Sequence, residues 1–150
     1  MRLTAFVIAL SCVAGSIVES SAKASPTAAD VTTELSRRSG IPEAELSGLL
    51  ADCDANQQSM NLCAHRDLVA SELSLKESVR AKLEQFPMCK SAIETRLARF
   101  EKNRDAGCTR SAEKAYGKGS MQPLARAQCA KAETDRMSEQ LSRYPGCRSR

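Results

Sequence analysis

The chain has 150 residues and a formal charge of +4, from 22 Lys and Arg against 18 Asp and Glu. This mildly basic, evenly spread balance excludes the dense cationic surface of a nucleic-acid-binding domain. The length fits a single domain, but aromatic residues make up only 3% and Trp is absent. A core built mainly from Leu, Ala, Val and Met is thin for this length, and small exported domains of this kind usually add covalent cross-links.

Residues 1–24 have the pattern of a secretory signal peptide. Arg2 precedes a mostly apolar run, Leu3 to Val18, and Ala22-Lys23-Ala24 is typical of a cleavage site. The run of about 16 residues is shorter than the roughly 20 that span a membrane. We therefore expect an exported protein, periplasmic or secreted, without a stable membrane span. Removing these residues leaves 20 basic and 17 acidic side chains, a charge of +3.

Cys12 raises the question of a lipid anchor, because Ala9-Leu10-Ser11-Cys12 loosely matches a bacterial lipoprotein signal. The position before the small pair usually carries a larger aliphatic residue, and here it is Ala9. The apolar run before Cys12 is also short. We therefore expect Cys12 to leave with the signal peptide rather than to carry a lipid.

Residues 25–52 are predicted to form two short helices with linker segments. Asp30 can cap a first helix from Val31 to Arg38, which Ser39-Gly40-Ile41-Pro42 ends. The proline of that sequence then suits the first turn of a second helix, from Glu43 to about Asp52. This segment superficially resembles a DNA-binding helix-turn-helix, but an exported, cysteine-rich chain does not suit that role, and we expect no nucleic-acid partner.

Three longer helices are predicted to follow. They run from about Gln57 to Gln85, from about Ser91 to Ala115 and from Leu124 to about Tyr144. Each carries apolar residues at helical steps, and no segment alternates like a strand. The fold class is therefore all-α, a small antiparallel helical bundle cross-linked by disulfides and spanning 53–147. The three stripes are Leu68, Leu75, Val79, Leu83 and Phe86; Ile93, Leu97, Phe100, Arg104 and Cys108; and Met137, Leu141 and Tyr144.

Six cysteines remain after the signal peptide, an even number in an exported chain. No two have the C-x-x-C spacing of redox or zinc sites, and His65 is the single histidine. We therefore expect structural disulfides, with no metal and no cofactor. The six are Cys53, Cys63, Cys89, Cys108, Cys129 and Cys147.

Helix geometry restricts how these cysteines pair. Cys89 and Cys108 are 19 residues apart along one predicted helix, about 28 Å at about 1.5 Å per residue, whereas a disulfide needs Cα atoms within about 7 Å. The sequence around Cys89 is echoed around Cys147, after the last helix, which places these two at the same end of the bundle. The first expected disulfide is Cys89–Cys147. The other two are Cys108–Cys129 and Cys53–Cys63, and the pairing among these four cysteines stays open.

Arg104 and Asp105 are adjacent within the second long helix. Neighbouring residues on a helix point in different directions, so we expect no ion pair between them. Asp105 is instead expected to cap or bridge to another segment. Arg104 lies on the apolar stripe, where its stem is expected to be buried and its guanidinium to find a carboxylate or a carbonyl.

The loop between the last two helices is the most exposed connection in the predicted fold, because its glycines interrupt the helical pattern. It is either a plain turn or a partner-contact loop, formed by Gly117, Lys118, Gly119 and Ser120. It resembles the end of a phosphate-binding loop, but the glycine spacing and the preceding strand of that motif are missing.

The chain shows no catalytic constellation. His65 lies beside Arg66 and Asp67, without a serine in a nucleophile elbow, and the carboxylates are scattered along charged helix faces. We therefore expect a protein that is not an enzyme and has no catalytic residues.

An ordered series of short motifs spans about 53–141. A Cys precedes an M-N-x-C-A element by about ten residues, and a Leu-rich helix follows. An aromatic residue then precedes R-D-A-x-C by four residues, and a Gly-Ser loop and a further Cys lead into a helix with Thr, Arg and Leu. These motifs are Cys53, Met60-Asn61-Leu62-Cys63-Ala64, Leu68, Glu72-Leu73, Phe100, Arg104-Asp105-Ala106-Gly107-Cys108, Gly119-Ser120, Cys129, Thr134, Arg136 and Leu141.

In these motifs the chain resembles the LprI-like family of exported proteins, named for a lysozyme inhibitor. The resemblance implies an envelope protein that binds and inhibits lysozyme. The alternative is a periplasmic structural or interaction module for another envelope protein, with no effect on lysozyme. The chain departs from the family pattern at Phe100, where the family usually has Trp, and at Cys89 and Cys147, which form an additional pair.

Overall fold

The computed structural model describes residues 25–147, so the predicted signal peptide and Cys12 lie outside the described residues. No described residue belongs to a strand, and no helix of this part combines the length and apolar character that a membrane crossing requires. The all-α prediction is confirmed. Five helices occur between residues 25 and 147: α1 (Ala28–Ser39), α2 (Glu43–Leu49), α3 (Gln57–Gln85), α4 (Lys90–Tyr116) and α5 (Gln122–Ser142), with a 3₁₀ turn at Pro87–Cys89.

The three long helices run up, down and up. Helix α5 packs most extensively on α3 and then on α4, whereas α3 and α4 make little contact with each other. The parallel course of α3 and α5 is visible at mid-helix, where the Ser71 hydroxyl donates to the Asp135 carboxylate at 2.7 Å. At the ends of these helices, the Phe86 and Tyr144 rings meet edge to face, with centroids 6.0 Å apart. Helix α1 lies on α3 and α2.

The larger buried apolar side chains, apart from Ile93 of α4, form two separate clusters. One lies where α1 and α2 pack on the first half of α3, and the other lies between α3 and α5 near their C-terminal ends. Both clusters are small, in agreement with the scarcity of large apolar residues in the sequence. The clusters are Val31, Leu35, Leu46, Leu62 and Val69, and Leu75, Met137 and Leu141.

Small side chains occupy many of the other buried positions on α3 and α5. A helix surface of small residues lets two helix axes approach closely but removes little apolar area from water. We infer that this part of the bundle adds less hydrophobic stabilisation than a leucine-rich interface of the same length would. The buried small residues on the two helices are Ser59, Ala64, Ser71, Ser78, Ala127, Ala130 and Thr134.

Helix α1 begins three residues earlier than predicted. Thr27 is the N-cap: its Oγ1 accepts a hydrogen bond from the Asp30 N–H at 3.2 Å, and the Thr27 N–H donates to the Asp30 carboxylate at 2.9 Å. This reciprocal capping box satisfies two backbone donors at once. The prediction of Asp30 as the cap is therefore wrong. The predicted end is close, because Gly40 adopts a left-handed φ of 72° after Ser39.

Helix α2 ends at Leu49, short of the predicted end near Asp52. The Asp52 side chain accepts a hydrogen bond from the Asp54 N–H at 3.0 Å. Such a local side-chain contact competes with helix continuation, which explains the early end. Cys53 follows directly and is covalently bonded to Cys63 in α3, so the α2–α3 connection is a short closed loop.

Three disulfides tie the bundle together at both ends. Cys89–Cys147 joins the start of α4 to the segment after α5, and Cys108–Cys129 joins α4 to α5 near the opposite end. The third, Cys53–Cys63, closes the entry to α3. Their Cα atoms are 5.5 to 5.8 Å apart, within the normal range. These are the pairs expected from the sequence.

The disulfides should contribute unequally to stability, because a cross-link removes more entropy from the unfolded chain when it closes a longer loop. Replacing Cys89 and Cys147 together with Ser opens a loop of 58 residues and should lower the free energy of unfolding by about 4 kcal/mol. The same change at Cys53 and Cys63 opens 10 residues and should cost about 3 kcal/mol. Urea unfolding followed by circular dichroism measures both values, and an equal or reversed order would contradict the chain-entropy account.

Candidate functional site

Three charged side chains from three helices form an ion-pair bridge, Arg38–Glu72–Arg104. Arg104 Nη1 of α4 lies 2.7 Å from Glu72 Oε1 of α3, and Arg38 of α1 pairs with the other carboxylate oxygen of Glu72. The Arg104 side chain is only 9% exposed. The prediction that Arg104 buries its stem and finds a carboxylate is confirmed.

The buried guanidinium of Arg104 has further partners. Its Nη1 donates to the Thr134 hydroxyl at 2.9 Å, and that hydroxyl donates in turn to the Ala130 carbonyl at 2.8 Å. The Arg104 Cζ also lies 5.6 Å from the centre of the Phe100 ring, a cation–π distance. The hydrogen bond to Thr134 connects α4 to α5, so Arg104 and its partners link α1, α3, α4 and α5.

Arg104 also contacts its own neighbour. Its Nε donates to Asp105 Oδ1 at 2.9 Å, so the prediction that the two residues do not pair is wrong. The long Arg side chain folds back along the helix while its end is held by Glu72, and this brings Nε to the adjacent carboxylate. Asp105 accordingly orients Arg104 rather than capping another segment.

Glu34 extends the charged network on α1. Both Arg37 and Arg38 donate to its carboxylate, at distances of 2.7 to 2.8 Å. These hydrogen bonds, with Arg37 the larger contribution, lower the pKa of Glu34 to about 2. Arg38 therefore lies between two carboxylates, Glu34 and Glu72, and its guanidinium position is fixed from both sides.

A groove opens beside the ion-pair bridge, with a volume of about 450 Å³. Its walls come from α1, α3, α4 and α5. Space is left between them because α1 packs on α3, while its backbone does not approach α4 or α5 closely in the described structure. On the other side of the bridge lies a second cleft of about 620 Å³, lined by Leu75, Val79, Leu97 and charged side chains. The ion-pair bridge thus separates two openings on the same face.

His65 lines the groove and is half-buried. Its pKa is lowered below 6.5, first by burial and then by the nearby positive charges of Arg126 and Arg38. The imidazole is therefore neutral over a wider pH range than a free histidine. Within residues 25–147, no group of three or more His, Cys, Asp or Glu side chains is arranged to hold a metal ion.

The Gly117–Ser120 loop, called here the hairpin loop, joins α4 to α5 and is exposed at all four residues. Cys108–Cys129 connects the two helices nine residues before and nine residues after the loop. Asn61 of α3 donates to the Ser120 carbonyl at 3.3 Å, and the Gly119 N–H donates to the Tyr116 carbonyl at 3.0 Å. The loop is therefore short, exposed and held at its base.

The two glycines of the hairpin loop are required by its backbone. Gly117 has a φ of +56°, in the left-handed region that side-chain-bearing residues rarely adopt. A Cβ at Gly119 would lie 3.0 Å from the Tyr116 carbonyl oxygen, too close for an ordinary contact. Between them, Lys118 projects from a constrained turn.

The structure brings together residues that the sequence did not connect. Arg38, His65 and Arg126 all line the groove, yet they come from α1, α3 and α5. The one feature of the sequence that indicated this site was Arg104, a charged residue on an apolar helix stripe. The expected contact role of the hairpin loop remains a prediction, and the loop residues do not line the groove.

Removing Arg104 should destabilise the fold, because Glu72 would lose its buried partner. Arg104→Met should lower the free energy of unfolding by about 3 kcal/mol, whereas Arg110→Met at an exposed position of the same helix should change it by less than about 0.5 kcal/mol. The double variant Arg104→Met with Glu72→Met should recover most of the loss, since neither of the two buried charges is then left without its partner. Chemical denaturation measures the stability of all three variants. Similar effects of Arg104→Met and Arg110→Met would contradict the role given to Arg104.

His65 and Glu34 should give two separate acid-induced losses of stability. Both groups have a lowered pKa in the fold, so the unfolded chain binds protons first as pH falls. Stability should decline below about pH 6.5 because of His65 and again between pH 4.5 and about 2 because of Glu34. His65→Gln should remove the first decline and retain the second. Unfolding free energies measured across this pH range provide the test, and an unchanged first decline in the variant would refute it.

Comparison with known proteins gives one family. The family model described as "Lysozyme inhibitor LprI" matches residues 51–141, which hold α3, α4, most of α5 and two of the three disulfides. The match includes Glu72, Arg104 and the hairpin loop but not α1. No curated protein and no solved structure matches the chain. Because the family model covers more than half of the sequence, the chain belongs to the LprI lysozyme-inhibitor family.

Proposed function

We propose that this protein is an exported lysozyme inhibitor that acts by binding rather than by catalysis. The observation that carries the proposal is the match of residues 51–141 to the LprI family model. The family is one of inhibitors and not of enzymes. Three disulfides between residues 25 and 147 support a location outside the reducing cytosol. The predicted signal peptide, residues 1–24, agrees with this location.

The hairpin loop is the proposed contact with lysozyme. It is exposed, it projects from the end of α4 and α5, and the Cys108–Cys129 disulfide limits the relative motion of the two helices that carry it. A loop that is already ordered loses little conformational entropy on binding. Tyr116, which is 48% exposed, adds an aromatic surface at the base of the loop.

The chemistry of a lysozyme cleft fits such a loop. Hydrolysis of the glycosidic bond depends on a pair of carboxyl groups that flank the substrate. The Lys118 ammonium can donate to one of these carboxylates, and the Ser120 hydroxyl can donate to the other or to a cleft carbonyl. Occupying the cleft in this way would exclude the polysaccharide without any reaction.

Net charge places a limit on how the complex forms. Without residues 1–24 the chain carries +3, so a basic lysozyme would gain no long-range attraction from it. Affinity must then come from short-range contacts inside the cleft, where the local charge of the carboxyl pair is negative. We expect the loop residues, rather than the surface as a whole, to determine which lysozymes are inhibited.

The test is the rate at which c-, g- and i-type lysozymes clear a cell-wall suspension in the presence of the purified, oxidised protein. Inhibition of at least one type is expected, and Lys118→Ala should weaken it by about tenfold, because a charge-assisted hydrogen bond is lost. Lys114→Ala, at an exposed position of the last turn of α4, is the matched control and should leave inhibition unchanged.

A backbone pair of variants tests the loop shape separately. Gly119→Ala places a Cβ against the Tyr116 carbonyl and should weaken inhibition, whereas a Cβ at Gly107 meets nothing within 4 Å, so Gly107→Ala should not. Equal effects of test and control variants would move the contact away from the loop. Unchanged lysis by all three lysozyme types, with the protein in large excess, would refute inhibition and favour an interaction module for another envelope protein.

A further inference from the structure

The groove beside the ion-pair bridge has the dimensions of a small-molecule site. Its volume of about 450 Å³ falls within the range of about 300 to 1,000 Å³ typical of ligand pockets. It lies between α1 and α4, over the junction of α3 and α5. The hairpin loop is not part of it, so an inference about this groove does not rest on the proposed inhibition.

The floor of the groove is apolar. Leu62 and Leu68 of α3 line it together with Leu35 of α1, and Ala127 and Ala130 of α5 leave space because their side chains are small. No Phe, Tyr or Trp among residues 25–147 lines it, so it lacks the broad stacking surface that sugar rings and bases commonly use. A flexible aliphatic chain fits this surface better.

The charged side chains of the groove leave one positive charge without compensation. Glu72 is neutralised by Arg38 and Arg104, and Asp105 also pairs with Arg104. Arg126 has no carboxylate at ion-pair distance among the described residues, although it lies at the groove. The charged lining residues are Arg38, Arg104, Arg126, Glu72 and Asp105.

The position of Arg126 defines where an anion would bind. Arg126 is exposed, on the first half of α5, and it lines the groove together with His65 of α3, close enough for its positive charge to lower the pKa of the imidazole. A guanidinium presents paired N–H donors that match the two oxygens of a carboxylate. His65, which also lines the groove, adds a second polar group with a ring N–H that can donate to the same anion.

We propose that the groove binds a free fatty acid, with the carboxylate on Arg126 and His65 and the alkyl chain over the leucine and alanine floor. One uncompensated cation matches a monoanion, whereas a nucleotide or a polyphosphate would bring several negative charges. Both arginines of the ion-pair bridge are already paired with Glu72, so they are not free to bind a second carboxylate. The charged end of the ligand therefore lies at the exposed Arg126, and its tail lies along the apolar floor.

The proposal is tested by isothermal titration calorimetry with monomeric dodecanoate and the oxidised protein. One dodecanoate per chain is expected to bind, and dodecyltrimethylammonium, with the same tail and the opposite charge, is expected not to bind. Arg126→Gln should weaken dodecanoate binding by at least about tenfold, as expected for a lost charge-assisted contact. Arg99→Gln, at an exposed position of α4 away from the groove, is the matched control and should have no effect.

A second measurement locates the ligand. In methyl NMR spectra, dodecanoate should shift the signals of Leu62, Leu68 and Ala127 but not those of Val79 and Leu97, which line the second cleft. Equal binding of the anionic and cationic amphiphiles, or unchanged affinity in Arg126→Gln, would overturn the proposal. Binding to anionic lipid vesicles without binding of dodecanoate would also overturn it, because the surface would then recognise a membrane rather than a free acid.

Discussion

Helix α5 packs on α3 and is tied to α4 by disulfides near both of its ends, and the described structure depends on this constraint. The interface between α3 and α5 contains many small side chains, and the larger buried apolar residues other than Ile93 belong to two clusters. Such a core removes limited apolar area from water, so restriction of the unfolded chain by Cys108–Cys129 and Cys89–Cys147 supplies a large share of the net stability. The hairpin loop and the groove inherit their fixed geometry from the same cross-links.

The ion-pair bridge attaches the N-terminal helices to the family fold. Glu72 and Arg104 lie inside the matched segment 51–141, whereas Arg38 lies outside it, on α1. A buried ion pair is costly to desolvate and adds little net stability compared with apolar packing. The ion-pair bridge instead sets the position of α1, because Arg38 of α1 and Arg104 of α4 bind the same carboxylate. The distance between α1 and α4 is the width of the groove. Leu35 of α1, buried on α3, supplies the apolar part of the same attachment.

Much of the fold was predictable from local signals. Helical periodicity and helix-ending prolines placed the long helices, and the 19-residue separation of Cys89 from Cys108 constrained the disulfides. Arg104 was recognised as a buried cation, but its partner Glu72 is far away in sequence and no local rule selects it. The groove could not be predicted, because it arises from the absence of close packing between α1 and α4. The error at Thr27 came from two acceptable caps three residues apart, which only the hydrogen bonds distinguish.

The conformation of the hairpin loop also bears on how the family could diversify. Gly117 is restricted by its positive φ, and Gly119 by the carbonyl of Tyr116, so neither position accepts a side chain without moving the backbone. Sequence change that preserves this turn is confined to Lys118, Ser120 and the adjoining Tyr116. Relatives that keep both glycines would then share one loop backbone and differ in target preference through the side chains at these three positions. A relative that has lost either glycine must present a differently shaped surface.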